Sequence, residues 1–395
     1  MNNMKFFDHI ICAPIYLLFT STFFIENADK KLVIFVLVSL IVSIAKYGKK
    51  PITTNIKKPL NILLIITIIY LSVFYYIYGG SSQEIRVFLV MLVLFIYFPQ
   101  HLLTKGVIDR LLIIGSFCSI GFVLYNKYAL GLDRGIPITG GGFNPIPYAS
   151  AASIVGLISI YRFIETKNSL LLIPIIFYSA VIIFTQTRGV ILPFLVIFPL
   201  FFLLSKFSLN KKGIAIATII LLGIAYIGHE PIESRIKSTI QEINAIQEGN
   251  LQSSIGLRLQ FWDAAVQLIK ERPVFGFGDQ HSERYQQLYH QGKISKAAAE
   301  YSPTNYHNQY LDTGVKKGIV GLILLLSLQS IPIVYLCKYQ ASRVSMSFAF
   351  CLFTLFIGIS MTATPFRQAL PMMPILFSIY YVTIIFANKE ELNVK

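Results

Sequence analysis

Long apolar segments separated by short polar ones run along most of this chain of 395 residues. About twelve of them approach the roughly 20 residues that a helix needs to cross a bilayer core of roughly 30 Å. They lie at 6–25, 32–45, 59–79, 85–99, 110–126, 145–162, 169–186, 189–206, 213–228, 318–337, 344–363 and 368–388. The pattern predicts an all-α polytopic membrane protein with about twelve transmembrane helices.

One long polar segment separates the ninth predicted span from the tenth. It holds three helix-like pieces: isoleucines three and four apart in 232–243, an amphipathic run that begins near Ser254, and a third piece over 281–301. We therefore expect a helical cap on the membrane bundle. The chain is predicted to divide into 1–228 with spans one to nine, the cap at 229–312, and 313–395 with spans ten to twelve and a short tail.

Composition agrees with this fold class, since 55% of the residues are hydrophobic, 13% are charged and the mean hydropathy is +0.64. The net charge of +15 would suit nucleic-acid binding, but Lys and Arg cluster in alternate short loops such as 46–58, 162–168 and 206–212. By the positive-inside rule, both termini are expected in the cytoplasm and the cap on the outer face. The first apolar segment lacks the features of a cleavable signal and is expected to remain as a span. The charge is thus a topology signal, and no nucleic-acid partner is predicted.

The four cysteines lie in or beside apolar segments, outside the predicted cap. This distribution supports neither a disulfide framework nor a metal cluster. The outer segments also lack a D-x-D or comparable carboxylate pair that could hold Mg²⁺. We therefore expect chemistry without a metal or another cofactor.

Three side chains on the predicted outer face are candidates for that chemistry. Arg188 interrupts two apolar stretches, Arg258 lies in the first turn of the second cap helix, and His307 ends the cap just before the tenth span. Taken singly, Arg258 reads as a solvated arginine paired with Asp263, and Arg188 as a residue that reaches lipid headgroups. Together they favour an anion site beside a titratable group.

The same residues belong to motifs that carry a resemblance. The motifs are TQTRGVIL with Arg188 and Leu192, GLRLQFWDAAVQLIKERPVFGFG from Gly256 to Gly278, and His307-Asn308 followed by Gly318 and Gly321. In order and spacing they resemble the O-antigen ligase and polymerase family of bacterial envelope proteins. The long outer loop before the last three spans is similar to the ligase branch.

This resemblance implies a GT-C-like fold in the inner membrane and an active site that faces the periplasm. It implies transfer of a polysaccharide from undecaprenyl pyrophosphate to the lipid A-core oligosaccharide, by a metal-independent inverting glycosyl transfer. Arg188 and Arg258 would bind the pyrophosphate, and His307 would be the catalytic base. The chemistry is sound, because fixed cations stabilise a leaving group that gains charge, and an imidazole kept neutral by neighbouring cations can take the proton of the acceptor.

Further residues are weaker candidates for substrate contacts. They are Arg134, His290, Tyr306, Asn308 and Arg367. The tyrosine could stack on a sugar, although tyrosines at a membrane interface are more often structural. Its neighbour Tyr310 is read in the same way. His290, like His281, is a rival of His307 for the role of the base. Arg134 and Arg367 could reach the carrier phosphates or the acceptor. Gly314, Gly318 and Gly321 are expected to permit close packing where the tenth span begins.

Two other functions stay open at this point. A polymerase of the same family would join repeat units on the carrier, and the single large outer loop favours a ligase over it. A transporter of lipid-linked glycan would bind the same groups without chemistry. Charge buried within the spans is expected of a transporter, and the predicted spans contain almost none.

Overall fold

The computed structural model describes residues 5–139, 143–207, 233–234, 236–301, 304–339 and 341–387. Helices and turns make up these residues, with no β-strand among them. The α-helices are α1 (Phe6–Phe19), α2 (Ala28–Tyr47), α3 (Lys50–Asn55), α4 (Pro59–Tyr78), α5 (Ser82–Tyr97), α6 (Lys105–Leu124), α7 (Pro145–Thr166), α8 (Leu172–Phe184), α9 (Arg188–Ser205), α10 (236–247), α11 (Ser254–Glu271), α12 (His281–His290), α13 (Lys296–Tyr301), α14 (Gln309–Lys338), α15 (Arg343–Ser360) and α16 (Ala369–Ala387).

Helices occupy every predicted span except the one at 213–228, which lies outside the described residues. Within the described ranges, seven helices are long and apolar enough to cross a membrane, and two shorter apolar helices accompany them, Ser169–Phe184 and Ala369–Ile385. The predicted fold class, an all-α polytopic membrane protein, is confirmed.

Helix α7 is the centre of the bundle. Its membrane-length window is 94% buried, and it packs against α8, α9, α15 and α16. Small side chains on its buried faces, such as Ala149, Ala152, Ser153 and Gly156, let these neighbours approach closely. Side-chain packing of this kind replaces the hydrophobic drive that is missing between helices in lipid.

The last turn of α7 holds an arginine that the charge pattern assigned to a loop. Arg162 is inside the helix, and its side chain is 0% exposed. It donates two hydrogen bonds to the Asp109 carboxylate, at 2.7 and 3.1 Å, and another to Glu165. The described spans therefore do contain a buried charge, but it is fully paired and lies at the end of the bundle away from the cap.

The cap has a hydrophobic core of its own. Phe261, Ala265 and Leu268 of α11 form it together with Leu288 of α12 and Ala298 of α13. The second predicted helical piece is present as α11. The third is broken into α12 and α13, because the chain reverses at 291–295.

The cap is attached to the bundle through backbone groups at a break in α14. Gly318 has φ +62° inside that helix, and a side chain there would meet the Val274 carbonyl oxygen at 2.1 Å. Backbone groups of α14 that the break leaves without a helical partner bond to the loop after α11. Ile319 N–H donates to the Pro273 carbonyl, and Phe277 N–H donates to the Val315 carbonyl, both at 2.8 Å. The neighbour that this glycine admits is thus a loop of the cap.

Candidate functional site

The turn between α8 and α9 places Arg188 as the first residue of α9. Gln186 in this turn has a left-handed φ of +52°. Arg134 supports the turn, because its Nε donates to the Thr185 carbonyl at 2.7 Å and its Nη2 to Thr187 Oγ1 at 3.0 Å. The side chain of Arg134, predicted as a substrate contact, therefore positions the turn that carries Arg188.

The guanidinium of Arg188 is held by α10. Its Nη2 donates to Glu242 Oε1 at 2.7 Å and its Nη1 to Thr239 Oγ1 at 2.5 Å. The other oxygen of the same carboxylate accepts from Ile255 N–H at 2.9 Å, in the first turn of α11, which Ser253 caps. Glu242 thus lies where a helix N-terminus and an arginine converge, an arrangement that favours an anion.

Arg258 is the fifth residue of α11, just past the first turn, because Ser253 caps the helix instead of Ser254. Asp263, its predicted partner, instead accepts from Gln267 at 2.9 Å. Arg258 makes no hydrogen bond or ion pair with any described residue. Burial lowers its pKa, and the charge of Arg188 lowers it further, while Glu242 opposes that shift. The two arginines therefore lie close enough to affect each other.

The Glu242 carboxylate remains ionised between these arginines. Burial by itself raises its pKa, but hydrogen bonds from Arg188 and from Ile255 N–H, together with the charges of Arg188 and Arg258, bring the pKa below its ordinary value. An anion therefore already occupies this place, and its charge is compensated by groups suited to phosphate oxygens.

His307 packs on the same helix that carries Arg258. Its ring stacks on that of Phe261, with the centroids 6.3 Å apart and the planes 18° apart, and Phe261 follows Arg258 by three residues on one face of α11. The next residue along, Trp262, donates from Nε1 to the Tyr306 carbonyl at 3.0 Å. The His307 backbone is left-handed, with φ +49°, so its side chain is aimed by local strain as well as by packing.

The imidazole of His307 is neutral near pH 7. Burial lowers its pKa to about 4, with a further contribution from the Arg258 charge, and Asp312 opposes the shift. Burial is therefore the larger cause, whereas the sequence pointed to neighbouring cations. Neither ring nitrogen is hydrogen-bonded to a residue that the structure describes. The imidazole can accept a proton without first breaking a contact to those residues.

The loop after α15 connects the two halves of the site. Asn308 Nδ2 donates to the carbonyl of Met361 in this loop at 3.3 Å. Thr362, which follows Met361, donates from Oγ1 to the Gly189 carbonyl at 3.1 Å. Asn308 and Gly189 adjoin the predicted base and the first arginine in sequence. The three residues predicted to be catalytic therefore gather at one end of the bundle, here called the cap end, where 185–187 and 361–368 meet the cap.

Tyr306 and Asn308 serve the fold in this structure. Tyr306 is 0% exposed, and its hydroxyl lies 3.2 Å from Nδ1 of His281, so it has no face open for a sugar. Asn308 caps α14, since its Oδ1 accepts from Tyr310 N–H and Leu311 N–H at 3.0 and 3.2 Å. Both residues hold the segment that carries His307.

The rival histidines and Arg367 contact described residues other than Arg188 and Arg258. His281 is buried, and its pKa is lowered to about 4 by burial and by the nearby charge of Lys316. His290 is exposed at the end of α12 and packs on Tyr289. Arg367 donates to the Thr304 carbonyl, three residues before His307, and lines a separate cavity.

Glu242 and Thr239 of α10 are the site residues that sequence reasoning missed. They lie beside the apolar stripe that predicted this helix, and nothing in the pattern distinguishes them from other polar residues of the cap. The contact with Arg188 joins residues more than fifty positions apart, so it required the tertiary structure. Across the described part of the chain, no group of three or more His, Cys, Asp or Glu side chains could hold a metal ion.

Comparisons with known proteins agree with these motifs. A family model described as O-Antigen ligase matches residues 173–326, which include Arg188, Arg258 and His307. An O-antigen ligase of Escherichia coli is 24% identical over 224 residues, covering 54% of this chain and 52% of that protein. An uncharacterized protein of Haemophilus influenzae is 29% identical over 270 residues, covering 65% of this chain and 66% of that protein. The chain thus spans only part of these relatives' lengths. Over residues 173–326 it is similar to the O-antigen ligase family, and the resemblance predicted from its motifs is confirmed.

Proposed function

We propose that this protein is an O-antigen ligase. It transfers a polysaccharide from undecaprenyl pyrophosphate to the lipid A-core oligosaccharide, at the periplasmic face of the inner membrane and with both termini in the cytoplasm. The observation that carries the proposal is the pairing of Arg258 with His307. The imidazole packs on the helix that carries Arg258, the guanidinium charge lowers the pKa of the imidazole, and neither side chain has a hydrogen-bond partner among the described residues.

In this proposal the two arginines bind the pyrophosphate of the donor. As the bond between the anomeric carbon and the phosphate oxygen breaks, negative charge grows on the leaving pyrophosphate. Arg188 and Arg258 therefore interact more strongly with the pyrophosphate in the transition state than in the bound donor, and this difference lowers the barrier. The partial burial of Arg258 strengthens this interaction, because less water screens the charge.

His307 completes the transfer. The acceptor hydroxyl attacks the anomeric carbon on the face opposite the leaving pyrophosphate, and its proton passes to a ring nitrogen of His307. The new glycosidic bond forms as the old bond breaks, so the configuration at the anomeric carbon is inverted. The lipid-linked pyrophosphate leaves with the electron pair of the broken bond, and no metal takes part.

Glu242 has a defined role in this scheme. Its carboxylate accepts from Arg188 and from the first turn of α11, the contacts proposed for a donor phosphate. Donor binding must therefore displace it or share these donors with it. The carboxylate keeps the site compensated until the donor arrives.

The test is reconstitution of the purified protein in vesicles with lipid-linked donor and lipid A-core, without ATP and with a chelator present. Polysaccharide attached to the core is expected for the native protein. His307→Ala should lower that rate by about 10² to 10⁴, the usual worth of a positioned base. The matched control is His290→Ala, which removes an exposed histidine of the same cap and should change little.

Other products would overturn the proposal. Chains that lengthen on the carrier, with the core unmodified, would indicate a polymerase. Donor that crosses the vesicle membrane without a new bond would indicate a transporter. Full transfer by His307→Ala would refute the assignment of the base.

A further inference from the structure

A cavity of about 330 Å³ opens at the cap end, beside the segment that carries His307. Neither Arg188, Arg258 nor His307 is among its lining residues. The turn between α4 and α5, the turn at Gly278 and the first turns of α14 enclose it. Its charged and amide side chains are Gln83, Glu84, Asp279, Gln309, Asp312, Lys316, Lys317 and Arg367, and Phe74 and Tyr75 add aromatic surface.

The charges in this cavity are balanced. Lys316 Nζ lies 2.6 Å from Asp312 Oδ1, and Lys317 pairs with Glu84. Asp279 accepts from Gly80 N–H at 2.9 Å. Because each cation has a carboxylate nearby, the cavity does not favour a phosphate or another polyanion. Paired acceptors and donors beside aromatic rings instead suit the hydroxyls and apolar faces of a neutral sugar.

Residues that line this cavity are hydrogen-bonded to the short segment before His307. Lys316 Nζ and Arg367 both donate to the Thr304 carbonyl, and Tyr306 N–H donates to Asp312 Oδ1 at 3.2 Å. The next residue is His307, whose Cα lies about 3.8 Å from that of Tyr306. One lining residue of the cavity, Asp312, thus binds the residue before His307, and its charge raises the pKa of the imidazole.

We propose that this cavity is the acceptor subsite, which binds a neutral sugar of the acceptor glycan next to the one whose hydroxyl attacks. The inference rests on the proposed function. The donor is held at its pyrophosphate by Arg188 and Arg258, and neither arginine lines the cavity. The base must contact the acceptor hydroxyl, and the residues that line the cavity bind the segment that carries the base. Its enclosure by the ends of α4, α5 and α14 also suits an acceptor anchored in the adjacent leaflet.

Ser82→Trp tests the subsite by filling it. Ser82 is an exposed lining residue at the start of α5, and its side chain makes no hydrogen bond to a described residue. We expect the KM for lipid A-core to rise by about tenfold or more, the effect of losing about one good contact, with the KM for the lipid-linked donor unchanged. The matched control is Ser282→Trp, at an exposed position of α12 outside the cavity.

Two results would overturn the inference: an unchanged acceptor KM, or an equal rise in the donor KM. Should the native protein transfer nothing, the proposed function fails and the subsite is judged by binding alone. Saturation-transfer NMR would then compare core oligosaccharide freed of lipid A and phosphate with inorganic phosphate, on the full-length protein. Binding of the oligosaccharide that Ser82→Trp abolishes supports the subsite. Binding of phosphate alone, or no loss in the variant, refutes it.

Discussion

Arg162 and Arg258 are both withdrawn from water but differ in their partners. Arg162, at the end of α7 away from the cap, meets the carboxylates of Asp109 and Glu165 and is 0% exposed. Arg258, in the cap, is partly buried and has no ion pair with a described residue, and the nearby Arg188 lowers its pKa further after burial. The charge of Arg162 is hydrogen-bonded to carboxylates, whereas that of Arg258 is bonded to none among the described residues.

The difference separates a structural charge from a functional one. A buried charge without a partner destabilises a protein, so it is retained where a ligand supplies the partner. Arg162 has every partner it needs and therefore holds α6 and α7 together. Arg258 lacks a carboxylate of its own, lies beside a neutral imidazole and so favours an incoming anion. The contrast can be tested from both ends of the bundle.

The largest effect is expected for Arg162→Gln. Removing the cation leaves Asp109 without its ion pair and Glu165 with only the exposed Lys105, so the free energy of unfolding should fall by about 3–5 kcal/mol. Thermal unfolding in detergent measures this. Lys105→Gln is the control, because Lys105 pairs with Glu165 at 2.6 Å but is 70% exposed, and its loss should change stability by about 0–1 kcal/mol. Equal losses of stability in the two variants would show that the buried Arg162 contributes no more to the fold than an exposed ion pair.

Arg258→Gln should act on transfer and leave stability almost unchanged. Losing one preorganised charge from the leaving-group site is expected to lower kcat by about 10² to 10³, as measured in the reconstituted assay. Lys270→Gln, at an exposed position of the same helix, is the matched control. A variant that unfolds as readily as Arg162→Gln would show that Arg258 is structural after all.

Glu242→Gln should improve donor binding. The amide keeps the shape of the side chain but removes the charge that competes with pyrophosphate for Arg188. Losing one charge-assisted hydrogen bond of about 1.5 kcal/mol or more should lower the donor KM by about tenfold. Titration with lipid-linked donor measures it, and a higher KM would mean that Glu242 helps to form the donor site instead of filling it.

The smallest effect is expected between neutral pH and about pH 5. Because the pKa of His307 is lowered to about 4, the base stays unprotonated over this range, so kcat/KM should be level and should fall only as the pH drops through about 4. The free energy of unfolding should also fall as the pH is lowered, because His307 binds a proton at about pH 6.5 in the unfolded chain but only near pH 4 in the folded protein. An acid limb near 6.5 that is absent from His307→Ala would contradict the depressed pKa.

The spans could be predicted because membrane length and hydropathy are local properties of the chain. α11 was predictable for a similar reason, since its apolar spacing and serine cap are local. The contacts of Glu242 were not, because they join segments that are distant in sequence. The complete burial of Tyr306 was not predictable, because sequence does not reveal the left-handed backbone of His307, which directs these two neighbours into different surroundings. The contacts of Arg134 were not predictable either, because the Thr185 carbonyl and the Thr187 hydroxyl that it binds belong to another turn.

The break in α14 at Gly318 has a consequence for how the cap can vary. The loop after α11 is joined to that break by main-chain groups of Pro273, Phe277, Val315 and Ile319. Main-chain bonds form with almost any side chains, so the cap's outer surface is free to change in sequence while its docking position stays the same. The exposed faces of α12 and α13 could therefore be exchanged for those of a relative without moving the imidazole. The reacting groups and the surface that meets new glycans can thus evolve, or be engineered, separately.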